Sequence, residues 1–341
     1  MAIKSSGNPL SFSEIETEFG SNSSRSLGNY RVSQTVGSLS KSLDTGIPSS
    51  GTIKFSEFYS KRLNVVVDFH SGGQEIRENA KSRYNGNSVT VIGGFRGKKE
   101  AGSKILIHVN KTIGSAKGNQ SIVALRTGNW NSDVVLSVDV GSSGRLYGAG
   151  GEGGKGADSW SDGGSNNGSS GGNGTSALGI EHEETAVNVQ SGGRIRCGFG
   201  GGGGGAGARQ VDSGADRSAC GGGGGGGAGL PAGNRGEGGN RRSGSSDEVA
   251  NGENGDNGQL EENGEGGNGG NNRNEAVGGN GGRGGDANES AQGGNGGENL
   301  DSSQGGAGAN GAAIRRSSGG IQVDISNGGS ISGSTSATGV A

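Results

Sequence analysis

Apolar and polar positions alternate in short bursts through the first half of the chain, and no apolar run reaches the length of a core helix. Leu10-Ser11-Phe12-Ser13-Glu14-Ile15 returns loosely as Ile53-Lys54-Phe55-Ser56-Glu57-Phe58. In each copy the alternation gives way to a helix-start signal. Ser13 followed by Glu16 fits a capping box, and Ile15 and Phe19 fall on one face of a short helix closed by Gly20. Residues 1–60 are therefore predicted to be a small N-terminal anchor that buries little by itself. Phe12, Ile15, Phe19, Phe55, Phe58 and Tyr59 are its candidate contacts for a docking partner.

Residues 61–147 read as an antiparallel β domain. Leu63 to Phe69, Ser88 to Ile92, Lys104 to Val109, Ser121 to Leu125 and Asp133 to Val140 are β-branched runs of strand length, separated by Gly, Asn and Ser. That pattern suits a small sandwich or jelly-roll-like unit. A repeat follows. Val138-Asp139-Val140 with Ser143-Gly144-Arg145-Leu146 matches Val187-Asn188-Val189 with Gly192-Gly193-Arg194-Ile195, 49 residues on. Val323-Asp324-Ile325 with Gly328-Gly329-Ser330-Ile331 is a third copy, at an offset of 185. These copies predict β units that begin and cap what lies between: one embedded near 185–199, and a C-terminal β cap over 321–341.

The stretch 148–320 keeps a different rhythm. Glycine recurs at every third position, as in Gly150-Gly151-Glu152-Gly153-Gly154-Lys155-Gly156, Gly252, Gly255 and Gly258, Gly264, Gly267 and Gly270, and Gly305, Gly308 and Gly311. A polyproline-II helix has three residues per turn, so a period of three assigns each residue to one of three faces. A face without Cβ atoms lets another backbone approach, and neighbouring rods can then satisfy one another's N–H and C=O groups. The expectation is a polyglycine-II helix bundle. The unbroken runs Gly200 to Gly205 and Gly221 to Gly227 belong at its centre. The Gly-Gly-X runs belong outside, with Glu152, Lys155, Asn268, Asn280, Arg283 and Asn295 facing water. Variable segments between the runs reverse the chain, so alternate loops gather at opposite ends.

Composition bears on this reading in one direction and chemistry in another. Of 341 residues, 83 are Gly and only 26% are apolar, which rules out a conventional core throughout. With three prolines, a collagen triple helix is excluded as well. Glu237 to Asp301 holds 13 acids against four Arg, and the whole chain carries a net charge of −3, which argues against nucleic-acid binding. No 18-residue apolar run exists, so no membrane insertion is expected. Met1 to Ser6 lack the apolar core of a signal peptide, and assembly in a cytoplasm is expected. Cys197 and Cys220 read as two reduced, buried residues rather than a disulfide.

His70, His108 and His182 are scattered through strand and loop contexts and predict neither a metal site nor a catalytic triad. Lys155 is followed by Gly156, so the Ser or Thr of a phosphate-binding loop is missing. Gly281 to Asp286 matches the start of a calcium β-roll repeat, but Asn288 stands where that repeat needs a large apolar residue. No catalytic residue, cofactor or metal is expected. An ice-binding role needs a flat, regular face, and the X positions vary among Glu, Lys, Asn, Asp and Arg. What remains is recognition through loop tips. The candidates are Asp158, Trp160 and Asp162 in one loop, Arg241 and Arg242 in another, and Asn272, Arg273 and Asn288. Arg315-Arg316 is a further basic pair. Trp130, beside a strand, is predicted to be core.

Taken together, Gly148 to Gly156, Gly200 to Gly207, Gly221 to Gly229 and Gly264 to Ala313 resemble the glycine-rich receptor-binding adhesins of T-even-type phages. The closing Gly305 to Ile314 resembles the tail of their glycine-rich domains, and the first 60 residues resemble N-terminal segments of other phage tail proteins. The resemblance implies a layered polyglycine-II sandwich at a fibre tip whose loops touch a bacterial surface protein or polysaccharide. It also implies residence in the virion tail and docking to other tail, fibre or baseplate proteins through residues 1–60. Phage fibres are commonly trimeric, which makes a homotrimer the oligomer to consider, although no heptads or shaft are present. The β domain and the embedded β units depart from the T-even pattern. A purely structural tail component without receptor contact is the alternative function.

Overall fold

The computed structural model describes residues 3–21, 24–158, 167–212, 215–240, 249–272, 276–297 and 302–341. It is mainly β with few helices. Three parallel sheets dominate, and the chain visits them in the same order five times. Asn64–Phe69, Lys104–Val109, Val135–Val140, Thr185–Val189 and Val323–Asn327 form the first. Glu75–Ile76, Thr112–Gly114, Arg145–Tyr147, Arg194–Arg196 and Ser330–Ser332 form the second. Glu78–Asn79, Val123–Arg126, Ser176–Ile180, Ile314–Arg316 and Ala337–Thr338 form the third. Repeated passage round three parallel sheets makes a parallel β-helix.

This corrects the antiparallel reading of 61–147. Among these strands only Val89–Val91, at the edge of the first sheet, pairs antiparallel. The strand runs were visible, but apolar alternation is the same whichever neighbour a strand takes. The 49-residue repeat carried the missing information, because it is the register itself: Val138 pairs with Val187, and Leu146 with Ile195. The third copy is in register for its second strand, Ile195 with Ile331. Its first strand is slipped by two residues, since Val187 pairs with Ile325. A two-residue slip preserves the buried face, which a one-residue slip would not. The embedded unit and the C-terminal β unit are thus turns of the same β-helix as 61–147.

The interior is a stack of aliphatic rungs. Val67, Ile107, Val138 and Val187 lie on neighbouring strands and are buried, as are Ile113, Leu146 and Ile195 on the second sheet and Leu125, Leu178 and Ile314 on the third. Each such side chain contributes about 1.5–3 kcal/mol relative to exposure. On the outer face of the first sheet a polar rung crosses the same strands: Asp68, His108, Asp139, Asn188 and Ser326 are successive register partners. Burial pushes the Asp139 carboxyl up, but hydrogen bonds from His108, Asn188 and Gln190 outweigh it and hold the group below its ordinary value. A carboxylate depressed in this way stabilises the fold in full above its unfolded pKa of about 3.9 and ceases to as pH falls through the folded value. The thermal midpoint is therefore expected to fall more steeply below about pH 4 in the wild type than in Asp139→Asn.

The N-terminal module caps this sheet. Its helix α1 (Phe12–Phe19) starts at Ser11, whose side chain accepts the Glu14 N–H while Glu14 accepts from the Ser11 backbone. The capping box thus lies two residues before the predicted Ser13–Glu16 pair, and helix formation at Phe12 turns Ile15 and Phe19 inward. Hydrogen bonding from Lys4 and Ser11 lowers the Glu14 carboxyl to about 2. Ile15, Phe19, Tyr30, Leu43 and Phe58 join the β-helix aliphatics in one contiguous core. Two buried carboxylates tie module to sheet. Glu18 accepts the Leu63 N–H at 2.8 Å and pairs with Lys99, and Asp44 accepts the Arg62 N–H at 2.7 Å and pairs with Lys104.

The glycine-rich segments leave the β-helix at one corner, between the second and third sheets. Residues 148–175 leave from the third turn and 197–313 from the fourth. They run back and forth as extended segments bonded through their backbones. The central one, 220–229, donates in three directions with a period of three. Gly221, Gly224 and Gly227 donate to Ala157, Gly154 and Gly151. Gly222, Gly225 and Ala228 donate to Gly279, Gly282 and Gly285, and Gly223, Gly226 and Gly229 to Glu253, Asp256 and Gln259. Its carbonyls accept from 199–205, 233–239 and 264–270 in the same rhythm, and these bonds span 2.7–3.1 Å. Six neighbours therefore surround it. The other unbroken glycine run, within 197–207, is also surrounded by six, through bonds with 151–157, 169–175, 222–228, 279–285, 292–295 and 305–311. A Cβ on Gly202, Gly224 or Gly225 would come well inside 3.0 Å of a facing carbonyl oxygen. Glu152, Asn268, Asn280 and Asn295 point to water from the outer segments.

Cys197 and Cys220 are buried and form no disulfide, and they lie at opposite ends of the lattice. Burial pushes the Cys197 thiol up to about 12. Trp130 is core, edge-on to Tyr84 with ring centroids 5.1 Å apart.

Candidate functional site

Because each glycine segment reverses the one before, the lattice has two distinct ends. The near end abuts the β-helix. There Ser115 N–H donates to the Leu230 carbonyl at 3.0 Å, and Glu261 pairs with Arg194 and lies within 4.0 Å of Arg196. The turns near Leu230, Glu261 and Asn288 lie at this end. The far end collects the other reversals, flanked by Asp158 and Asn167, Gly207 and Cys220, Asn240 and Val249, Gly270 and Gly278, and Gly297 and Ser302.

Short strands order part of the far end. Ala208–Asp212 and Ala215–Ala219 form an antiparallel hairpin, with Val249–Ala250 parallel to its second arm. Asn271–Asn272 and Ala276–Val277 form a second, smaller hairpin. Buried Ala208, Ala219 and Ala276 pack together beneath them and seal the lattice. The central hairpin joins the two segments that have six neighbours each, so it sits at the middle of this face. Arg209, Gln210 and Arg217 on it are half-buried. Sequence reasoning treated 209–219 as a loop and did not single out these side chains. The signal was available: whatever joins the two unbroken glycine runs must lie over the centre.

The sequence candidates divide. Asp158 is at the far end but 5% exposed, holding Lys155 at 2.8 Å and accepting the Asn240 N–H at 2.9 Å. It closes the lattice edge. Asn272 is also at the far end and 5% exposed, within the smaller hairpin. Asn288 is exposed but belongs to the near end, in the turn where Asp286 accepts the Asn288 and Glu289 N–H groups. The register therefore places it at the opposite end of the lattice from Asp158 and Asn272. Trp160, Asp162, Arg241, Arg242 and Arg273 lie outside the described residues. Arg315 and Arg316 belong to the third sheet of the β-helix, not to a loop tip.

The docking candidates divide likewise. Ile15, Phe19 and Phe58 are fully buried in the chain's own core, so their side chains offer no surface to a partner. A short amphipathic segment buries its apolar face wherever the first complementary surface is, and here that surface is the module itself. Phe55 is 40% exposed, and Phe12 and Tyr59 are half-buried.

No group of three or more metal-ligating side chains occurs among the described residues, and no helix there is long and apolar enough to cross a membrane. The family model described as phage tail fibre adhesin Gp38 matches residues 74–336. The chain belongs to the phage tail fibre adhesin Gp38 family. The match runs from the first strand of the second sheet into the last turn of the β-helix and includes the whole glycine lattice. Membership in this adhesin family makes the protein a component of the phage tail fibre that serves host attachment. No curated protein and no solved structure matches the chain.

Proposed function

We propose that the glycine segments are polyglycine-II helices packed as a sandwich, and that this scaffold holds the far-end loops against a receptor on the bacterial surface. The observation that carries the reading is the sorting of reversals. Three turns lie at the β-helix end, two of them tied to it through Leu230 and Glu261, while the segments flanking the remaining reversals end on the face turned away. Recognition loops on a rigid scaffold are the common arrangement for binding. Support for polyglycine-II comes from the three-residue rhythm of donors around 220–229 and from the six neighbours of each unbroken glycine run. The candidate contacts are Arg209, Gln210 and Arg217, together with Trp160, Asp162, Arg241, Arg242 and Arg273. At the other end of the molecule, Phe12, Phe55 and Tyr59 of the N-terminal module are proposed to meet the tail-fibre partner.

Replacing 241–248 by a Gly-Ser linker of equal length tests the receptor reading. Adsorption of phage carrying the variant is expected to fall at least about tenfold, the effect of losing ~1.4 kcal/mol of binding. The same replacement at 286–291, on the near end, should leave adsorption unchanged. Unchanged adsorption after replacing each far-end loop in turn would leave the purely structural role.

A further inference from the structure

One cluster lies far from the glycine tip, on the outer face of the first sheet, and the adhesin role does not use it. The hairpin Gln34–Val36 and Leu39–Lys41 turns through Gly37 and Ser38, with Gly37 in the left-handed region at φ 59°. The turn carries Ser38 over His108. His108 is fully buried, and its Nδ1 lies 3.1 Å from Asp139 Oδ2. Its Nε2 lies 3.4 Å from Ser38 Oγ. Asp139 is held in turn by Asn188 Nδ2 at 2.6 Å and Gln190 Nε2 at 2.8 Å. A carboxylate supplied with these donors stays ionised. It fixes the His108 tautomer with the proton on Nδ1, so the Nε2 lone pair faces the Ser38 hydroxyl. Ser38 is exposed, and the imidazole behind it is not.

We propose that Ser38, His108 and Asp139 form an acyl-transfer site that removes small acyl groups from hydroxyl-rich esters, the class to which O-acylated surface polysaccharide belongs. The roles follow from geometry: nucleophile, general base, and the carboxylate that orients the base. A separation of 3.4 Å is looser than a formed hydrogen bond, as free nucleophile–base pairs often are before substrate closes the site. A groove of about 390 Å³ begins one step along the same strands. Ser40, Ser42 and Asn64 line it with Lys104, beside Leu106 and Ser137. Hydroxyl and amide linings suit a sugar, and Val66, Leu106 and Val135 offer an apolar wall to a short acyl chain. The reading that the bacterial surface is the target rests on the adhesin role.

The chemistry balances without a cofactor. Ser38 Oγ attacks the ester carbonyl carbon as its proton passes to His108 Nε2. The tetrahedral adduct collapses, the C–O ester bond breaks, and the departing sugar oxygen takes that proton. Water then gives a proton to His108 and attacks the acyl-Ser38. The Oγ–C bond breaks, Ser38 regains its proton, and a carboxylic acid leaves.

The intact protein is incubated with a fluorophosphonate, and separately with p-nitrophenyl acetate and O-acetylated polysaccharide from a bacterial surface. Expected are one covalent adduct, located on Ser38 by peptide mass, and ester hydrolysis about 10²-fold above that of Ser38→Ala. Ser50→Ala, at an exposed serine outside the groove, should behave as wild type. Ser38→Ala lies in an exposed turn, so its folding is not at stake, and its host adsorption should be unchanged. No adduct on Ser38, with equal hydrolysis by wild type and Ser38→Ala, overturns the proposal and leaves His108 as a pin for the hairpin. Release of p-nitrophenol without acetate from polysaccharide overturns the substrate class. Normal adsorption in either case shows that the adhesin reading stands independently.

Discussion

Gly224→Ala is expected to unfold the glycine lattice, while Gly306→Ala leaves it intact. Gly224 is in the middle of the central segment. Its N–H donates to Gly154 and its carbonyl accepts from Gly236. An added Cβ would lie well inside 3.0 Å of the Gly202 carbonyl oxygen, which is itself bonded in the lattice to Gly154 N–H. The methyl can be admitted only by moving a neighbouring segment. Overpacking costs about 1–3 kcal/mol, and each buried hydrogen bond left open adds about 1–3 kcal/mol more. A total of about 4 kcal/mol or more is a large part of the ~5–15 kcal/mol that holds a typical domain. At Gly306 the same methyl meets nothing nearer than Ser170 Oγ at 3.8 Å. There the loss of glycine's freedom in the unfolded chain makes the change neutral or slightly stabilising. Urea unfolding of the two variants checks this directly, since both add one methyl to one glycine.

Tyr30→Ala is expected to melt the N-terminal module without touching the lattice. Tyr30 is fully buried. Its ring lies 6.0 Å from Phe12, 6.3 Å from Phe19, 5.8 Å from Phe58 and 5.4 Å from Phe95, and its hydroxyl donates to the Gly20 carbonyl at 2.6 Å. It is the hub of the aromatic cluster that forms the centre of the module's core. Truncating a buried aromatic to Ala costs about 3–5 kcal/mol. The hydroxyl alone is worth about 1 kcal/mol, which sets the expectation for Tyr30→Phe. Limited proteolysis should cut Tyr30→Ala within residues 1–60 and spare 148–313. Protection equal to wild type would mean that the module's stability comes from elsewhere.

The contrast between these variants reflects what the sequence could and could not show. The glycine rhythm was legible because a period of three leaves little geometric choice. Unbroken runs such as Gly221 to Gly227 have no bulky face and can take neighbours on every side. Strand neighbours were not legible in the same way, since Val65, Ile107 and Val138 would be equally buried in an antiparallel sandwich. Only the repeat offset distinguished the β-helix, and it was read as separate units because over a hundred residues of lattice intervene between Arg196 and Ile314. Asn288 is a candidate as a polar loop tip, and counting reversals from the β-helix corner places it at the near end. Ser38, His108 and Asp139 could not be joined from sequence at all, because a hairpin and two parallel strands bring them together.

The central claim is that glycine spacing instructs backbones to pack against one another. Residue-resolved amide hydrogen exchange tests it most directly. The account predicts that the amides of 198–206 and 221–229 are among the slowest in the protein, protected as strongly as Ile107 and Val138 in the β-helix core. Exchange of these glycine amides at the rate of an unstructured chain, with the β-helix still protected, would contradict it.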